Sequence, residues 1–158
     1  MDNSTNSGKP LAFNPSGVAA PPPTYSHIAI TPVLPKTRLI TLAGQVGIDP
    51  QTSGVPTDFV KQVELAYANL LNCLRAAGAT PRDIIHVRHY IVNGQTGGEA
   101  DSSEIIDRGW SSLWMEFMDK VGEGYRPPDT VLGVASLAKK ELLYEVEAWA
   151  IVHDVSKL

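Results

Sequence analysis

The segment from Leu142 to Val152 constrains the fold most, because its residues alternate between two chemically different faces. Successive side chains of a β-strand point to opposite faces, so every second residue shares a face. One face is apolar and consists of Leu142, Tyr144, Val146, Ala148, Ala150 and Val152. The opposite face carries Leu143, Glu145, Glu147, Trp149, Ile151 and, one residue further, His153. The pattern predicts a long strand whose apolar face lies under helices.

The second face of this strand needs a different partner. Two carboxylates and a tryptophan are unusual in a core, yet the face is too apolar for ordinary solvent-facing surface. We expect copies of the same chain to bury it, with the polar residues gathered in clefts between subunits. The sequence therefore predicts an oligomer with its sites between chains.

Two segments show the spacing of amphipathic helices. The first runs from Thr57 to Ala77, with Thr57 as N-cap, Asp58 in the first turn and Cys73 in the core. Its apolar face consists of Phe59, Val63, Ala66, Leu70, Cys73, Leu74 and Ala77. The second is predicted to begin at Asp101, where Asp101-Ser102-Ser103-Glu104 matches a capping box. Its predicted buried stripe consists of Ile106, Trp110, Leu113, Phe117 and Val121.

Short apolar runs rich in Ile, Leu, Val and Thr predict the remaining strands. They are His27–Thr31, Arg38–Ala43, Ile84–Val92 and Val131–Ala135, the first two joined by a turn. The order β-β-α-β-α-β-β predicts an α+β sandwich, with two helices covering one face of a mixed sheet.

Composition limits the domain count and the class of protein. A chain of 158 residues with 43% hydrophobic residues supports one domain. Seven of the 12 prolines precede residue 36, and we expect residues 1–24 to form a Pro-rich, largely flexible leader to a single domain at 25–158. The net charge of −4 argues against a nucleic-acid-binding surface. The single cysteine favours a reducing compartment, and the absence of a long apolar run argues against a membrane span, so we expect a cytoplasmic protein.

The residues alone give few signs of catalysis. His86 and His89 are three apart in a predicted strand and point to opposite faces, so they do not form a metal pair. The loop at Gly44-Gln45 and the segment around Arg126-Pro127-Pro128 are better candidates, because loops at strand ends beside a cleft commonly bind ligands. A rigid connector into the next strand is the alternative for the second segment.

Five sequence motifs follow one another in an order found in a known protein family. They are Tyr25-Ser26-His27, the run from Leu42 to Pro50, the helix end Leu74–Ala79, the segment Arg126–Thr130, and Tyr144-Glu145-Val146-Glu147-Ala148. From about Asn14 to Val152 the chain resembles the RidA/YjgF/YER057c family. The resemblance implies a chorismate-mutase-like α+β fold, a homotrimer with three intersubunit sites, and no metal or organic cofactor. It also implies hydrolysis of enamines or imines to ketoacids and ammonia.

One departure from the family pattern concerns the substrate. In active members an arginine of a Pro-x-Arg-[Ser/Thr] motif holds the substrate carboxylate, and here Asp129 stands in its place. An acid repels a carboxylate, which argues against ordinary 2-imino acid deamination. Val131 and Ala43 replace a frequent Cys and Ser, whereas Tyr25, Gly44 and Glu145 match the family pattern.

The sequence therefore predicts a diverged RidA-like enzyme that applies general acid–base chemistry to an enamine, imine or enol/carbonyl metabolite. Tyr25, Asp129 and Glu145 are the candidate catalytic residues, with the two carboxylates raising each other's pKa in one cleft. Backbone N–H groups near Gly44 and Val131 are candidates to stabilise negative charge. Because Asp129 stands where the family arginine holds the substrate carboxylate, we expect the substrate to be neutral or cationic.

Three further side chains are candidate substrate ligands, each with a structural alternative. Arg126 is a possible substitute cation or part of a rigid connector into the next strand. Arg88 is another cation or the partner of Glu145 or Glu147, and Trp114 lines the cleft or packs at a helix edge. The alternative to an enzyme is a non-catalytic trimer that binds a small molecule or a protein. Ribonuclease activity is disfavoured by the acidic balance.

Overall fold

A computed structural model describes residues 8–94 and 103–153. Its strands are β1 (Leu11–Phe13), β2 (Ile28–Ile30), β3 (Thr37–Thr41), β4 (Gln45–Val46), β5 (Ile84–Val92), β6 (Asp129–Val134) and β7 (Tyr144–His153). Its helices are α1 (Phe59–Ala76) and α2 (Trp110–Val121), and short 3₁₀ turns occupy Pro81–Asp83 and Ile105–Asp107.

The main sheet is built around β7. Its strand order is β3-β7-β5-β6, and β4 also pairs with β7. β5 and β6 run parallel, whereas β3, β4 and β5 are each antiparallel to β7. Both helices contribute to one core against the sheet. The prediction of an α+β fold with two helices on one mixed sheet is confirmed.

The alternation predicted for β7 is present. Tyr144, Val146 and Ala150 are fully buried under the helices, while the intervening residues are less buried and Trp149 is 39% exposed. Leu39 of β3 and Leu132 of β6 are also exposed, at 59% and 38%. Each stands beside an open-face residue of the adjacent strand. No described part of the chain therefore covers Leu39, Leu132 and Trp149 on the second face of the sheet.

Helix α1 begins one residue later than a Thr57 cap implies. Asp58 is the N-cap, and its carboxylate accepts a hydrogen bond of 2.9 Å from the backbone N–H of Lys61. The Asp58 side chain thereby satisfies one of the free N–H groups at the helix start, and an acidic residue there complements the positive end of the helix. Cys73 is only half-buried, so the prediction that it lies in the core is wrong in degree.

A buried glutamine ties α1 to the start of β7. Gln62 is fully buried, and its side-chain N–H group donates to the carbonyls of Pro56 and Glu141 at 2.7 and 2.8 Å. Its side-chain oxygen accepts from the N–H of Leu143 at 2.8 Å. All these polar groups are satisfied through one side chain, which fixes the approach of β7 to the helix.

Helix α2 starts at Trp110, so the prediction of a start at Asp101 is wrong. Gly109 precedes it with a left-handed φ of 87°, and Arg108 turns inward to donate to the carbonyls of Ser103 and Val92. These bonds hold the chain in a loop where the capping-box pattern predicted a helix; Asp101 and Ser102 lie outside the described residues. The buried stripe also differs, because Trp110, Trp114 and Met118 are buried whereas Ile106 is exposed.

The amino-terminal strands pair differently from the simple order of the sequence. β1 pairs with β2 in a separate two-stranded sheet, whereas β3 pairs with β7. The sequence analysis predicted neither β1 nor the two-residue β4. The segment before β1 is held by an ion pair of Lys9 with Asp83 and by a hydrogen bond from Arg82 to the carbonyl of Pro10.

Replacing Gln62 by Met should lower the free energy of unfolding by about 2–4 kcal/mol, because the variant keeps the volume but leaves buried backbone groups without partners. Urea unfolding at fixed protein concentration measures this change. The exposed Gln51 provides the control, since Gln51→Met should change stability by less than about 0.5 kcal/mol. Equal effects of the two substitutions would contradict the anchoring role of Gln62.

Candidate functional site

A pocket lies at the start of the edge strand β6. It has a volume of about 410 Å³ and is lined by Tyr25, Ser26, His27, Pro128, Asp129 and Val131. The residues before β2 form one wall and the start of β6 forms the other. The structure thus brings together three of the predicted site residues, Tyr25, Asp129 and Val131.

Asp129 faces the helix-covered side of the sheet. It stands opposite Val87, which is fully buried in the core. One carboxylate oxygen, Oδ2, is buried without a hydrogen-bond partner in the described part of the chain. Burial raises the pKa of Asp129 to about 7, because low-dielectric surroundings disfavour the charged form. This carboxyl group therefore exchanges its proton near neutral pH.

The backbone of β6 offers donors at the same place. The N–H of Val87 donates to the carbonyl of Pro128, and the N–H of Asn93 donates to the carbonyl of Val134. Backbone groups alternate along a strand, so the N–H groups of Asp129 and Val131 point away from β5. In the described residues β5 is the strand that pairs with β6, which leaves these N–H groups at an open edge beside the pocket.

The Tyr25 wall is ordered by local contacts. The rings of Tyr25 and His27 meet edge to face with centroids 5.6 Å apart. The N–H of His27 donates to Asn14 Oδ1 at 2.8 Å, and its Nε2 lies 2.8 Å from the carbonyl oxygen of Ala19. Residues of the segment before β2 therefore contribute directly to the shape of this wall.

Glu145 lies on the other face of the sheet. It stands opposite Tyr90 and Val46, and its carboxylate packs against Gly44. A Cβ atom at residue 44 would lie only 1.8 Å from Glu145 Oε1, so this contact requires glycine. Burial raises the pKa of Glu145, and the nearby charge of Glu147 raises it further.

Within one chain Asp129 and Glu145 do not share a cleft, and their mutual effect on pKa in a cleft between chains stays a prediction. The raised pKa of Asp129 comes from burial, and that of Glu145 comes from burial and from Glu147. The sheet separates the two carboxylates, because Asp129 points to the helix-covered face of the sheet and Glu145 to the opposite face.

The three remaining candidates do not line the pocket. Arg88 forms an ion pair of 2.7 Å with Glu147 and lies 5.5 Å from the ring centre of Trp149, which confirms the structural alternative for Arg88. Trp114 is fully buried, and Arg126 pairs with Asp119 at 2.6 Å. The structure thus places all three side chains in structural contacts.

The sequence analysis missed a buried polar chain beneath the site. The Nδ1 atom of His89 lies 2.6 Å from the Tyr144 hydroxyl, which donates to the Tyr67 hydroxyl at 2.8 Å. Burial lowers the pKa of His89 to about 3, so this imidazole is neutral. Burial raises the pKa of both phenols, and the charge of Asp129 raises them further. As predicted, His86 and His89 face opposite sides of the sheet. No local sequence pattern reveals the hydrogen bonds among His89, Tyr144 and Tyr67, because these residues come from three different elements.

Comparisons with known proteins decide the family. The sequence model of the family described as endoribonuclease L-PSP matches residues 18–152. The chain belongs to this family. Its solved relatives include Rid and YjgF proteins, so the predicted RidA/YjgF family membership is confirmed.

The solved structures agree with the fold over most of the chain. YyfB from Yersinia pestis, of the Rid family and of unknown function, is 29% identical, covers 91% of this chain and 99% of its own, and superposes with a TM-score of 0.74. E. coli TdcF, solved with bound serine, is 23% identical over 84% of this chain and 96% of its own, with a TM-score of 0.59. E. coli YjgF is 22% identical over 82% and 94%, with a TM-score of 0.58. No curated protein matches the chain.

Among the residues that the structure describes, no group of three or more His, Cys, Asp or Glu is placed to hold a metal ion. No helix in residues 8–94 and 103–153 is long and apolar enough to cross a membrane.

The buried Asp129 predicts a specific pH dependence of stability. Between its ordinary pKa of 3.8 and its folded value of about 7, the folded chain keeps a proton that the unfolded chain has released. Stability should therefore fall as the pH rises through this window. Asp129→Asn removes this effect, so its stability relative to the wild type should rise by on the order of 4 kcal/mol from about pH 4 to about pH 8.

Urea unfolding across this pH range provides the measurement. Glu64→Gln, at an exposed position of α1, removes one carboxylate without touching the pocket and serves as control. If the stability of Asp129→Asn and that of the wild type changed in parallel with pH, the raised pKa of Asp129 would be contradicted.

Proposed function

We propose that the chain is a diverged RidA-type enzyme that hydrolyses an imine or enamine, or transforms a related enol or carbonyl metabolite, by acid–base chemistry at Asp129. The observation that carries the proposal is a pocket of about 410 Å³ lined by Tyr25 and by Asp129, whose Oδ2 atom is buried and has no hydrogen-bond partner among the described residues. Family membership supports small-metabolite chemistry, and its relative TdcF was solved with bound serine.

The raised pKa of Asp129 suits a group that gives and takes a proton near neutral pH. For an imine, protonated Asp129 donates its proton to the nitrogen, and the oxygen of a water molecule bonds to the carbon. The carboxylate then removes a proton from the added water. Asp129 then gives this proton to the amine nitrogen. As the C–N bond breaks, Asp129 takes up the proton of the hydroxyl group, and the products are a ketone or aldehyde and ammonia.

The backbone supports the same assignment. The N–H groups of Asp129 and Val131 at the edge of β6 are donors for the hydroxyl oxygen of the water adduct, which gains negative charge as it loses its proton and the C–N bond breaks. The Tyr25 hydroxyl on the opposite wall is a further donor or acceptor for the substrate. These groups need no cofactor for the hydrolysis described.

The charge of the pocket selects the substrate class. Asp129 offers no positive charge to a substrate carboxylate and repels one when it is ionised, and Arg88 and Arg126 are held by Glu147 and Asp119. The proposed substrate is therefore a neutral or cationic imine, enamine or carbonyl compound, and 2-imino acids are poor substrates.

The proposed functional unit is a homotrimer. The open sheet face exposes Leu39, Leu132 and Trp149, and burial of such side chains favours association. The pocket lies at an edge strand, where a neighbouring subunit can reach it. Glu145 on the open face would then act in a cleft between chains, as a carboxylate that orients water.

The assembly is directly measurable. In solution the protein should have about three times the monomer mass of 17.0 kDa, because the open face needs a partner surface. Light scattering coupled to size exclusion reports this mass. Leu39→Glu on the open face should shift the mass toward that of one chain, whereas Val33→Glu in the loop after β2 should leave it unchanged. A wild-type monomer at micromolar concentration would contradict the trimer.

Activity and its specificity should follow the charge at residue 129. Imines generated in situ from primary amines by a flavin amine oxidase, and 2-imino acids generated by an amino-acid oxidase, provide matched substrates. Wild-type protein should accelerate ammonia release from the first class. Asp129→Asn should lower that rate by roughly 10²-fold or more, as expected for loss of a general acid–base group. Asp129→Arg should instead favour the 2-imino acids.

Semicarbazide, which traps free imine, verifies that hydrolysis occurs on the protein. Glu64→Gln again controls for the lost charge and should retain the full rate. The enzyme proposal fails if Asp129→Ala and Glu145→Ala change turnover of none of these substrates; the non-catalytic binding trimer would then be the better assignment.

A further inference from the structure

We propose that Arg126 is a positioning residue that joins the two walls of the Asp129 pocket and fixes Tyr25 in place. This inference rests on the proposed function only in treating the pocket as the site. Arg126 lies three residues before Asp129, on the segment that forms one wall. Its side chain reaches the segment that leads into the other wall.

The guanidinium makes three separate contacts. Its Nε donates to the carbonyl of Pro23 at 3.2 Å, its Nη1 to the carbonyl of Tyr125 at 3.4 Å, and its Nη2 to Asp119 Oδ1 at 2.6 Å. Asp119 lies on α2, so the same side chain contacts the helix, the carbonyl of the preceding residue and the segment before Tyr25. A planar fork with donors on several sides allows this, whereas a lysine ammonium does not hold the same geometry.

Both arms of this bridge are stiffened by proline. Pro127 and Pro128 separate Arg126 from Asp129, and Pro21, Pro22 and Pro23 precede Thr24 and Tyr25. Proline fixes φ and leaves the chain few alternatives. A hydrogen bond between two stiff arms therefore fixes the distance between the walls better than one between flexible loops.

A second tie lies directly beside the first. The indole N–H of the buried Trp114 donates to the carbonyl of Thr24 at 3.3 Å, and Thr24 itself is 3% exposed. The buried Trp114 thus holds the carbonyl of Thr24, and Arg126 holds the carbonyl of Pro23 from the surface. Of these two donors Arg126 is the better test, because its removal leaves the core packing unchanged.

Fluorine NMR of protein labelled with 3-fluorotyrosine tests the bridge without any substrate. The chain has five tyrosines, and Tyr25→Phe identifies the Tyr25 signal. In Arg126→Gln this signal should shift and change width, while those of Tyr67, Tyr90 and Tyr144 stay in place. Asp119→Asn should move it in the same direction by a smaller amount, because Arg126 keeps its bond to Pro23.

The control is Lys120→Gln, which removes one positive charge and an ion pair with Glu116 on the same helix. It should leave all tyrosine signals unchanged. An unchanged Tyr25 signal in Arg126→Gln would overturn the proposal, and so would a common shift of all tyrosine signals, which would indicate general loosening of the fold.

Kinetics add a second, separable readout. With an imine that the wild type hydrolyses, Arg126→Gln should lower kcat/KM by roughly 10- to 100-fold with little change in melting temperature, since misplacement of a wall by about an ångström has effects of this size. Arg126→Lys should recover only part of the loss. If no imine is hydrolysed, the proposed function fails, and the Tyr25 signal alone decides the bridge.

Discussion

The two unlike faces of β7 are the constraint on which the rest of the structure depends. Because β7 pairs with β3, β4 and β5, its alternation sets which side of the whole sheet the helices cover. The small residues Ala148 and Ala150 let the helices approach closely, and Gln62 fixes α1 at the start of the strand. The remaining face keeps its carboxylates and Trp149 outside the core, where another chain can meet them.

The same alternation explains how one chain separates two acids that act in one proposed reaction. Asp129 falls in register with Val87 and faces the helices, whereas Glu145 falls in register with Tyr90 and faces outward. Burial alone brings the pKa of Asp129 into the neutral range. A site that needs both carboxylates therefore needs two subunits, which links the chemistry of the pocket to assembly.

Features governed by local or strictly periodic patterns were predictable from the sequence: β5, β7, the body of α1 and the fold class. Those that depend on contacts between distant residues were not. The start of α2 is set by Arg108 reaching Val92 and Ser103, and β1 exists because it pairs with β2. Tyr25, Asp129 and Val131 were recognised through the family resemblance and do share a pocket. Arg126 and Trp114 were only candidate substrate ligands, and no sequence pattern shows that they hold the carbonyls of Pro23 and Thr24.

The close contact of Gly44 with Glu145 also limits the order in which this protein can change. A Cβ atom at residue 44 would lie only 1.8 Å from Oε1 of Glu145, so any larger residue there requires the Glu145 side chain to move. Shortening Glu145 first removes the collision and opens residue 44 to alanine or serine. If Gly44 is replaced first, the single variant must displace the Glu145 carboxylate. Descendants of this chain that retain Glu145 are therefore expected to retain Gly44, whereas those that lose the acid become free to vary at both positions.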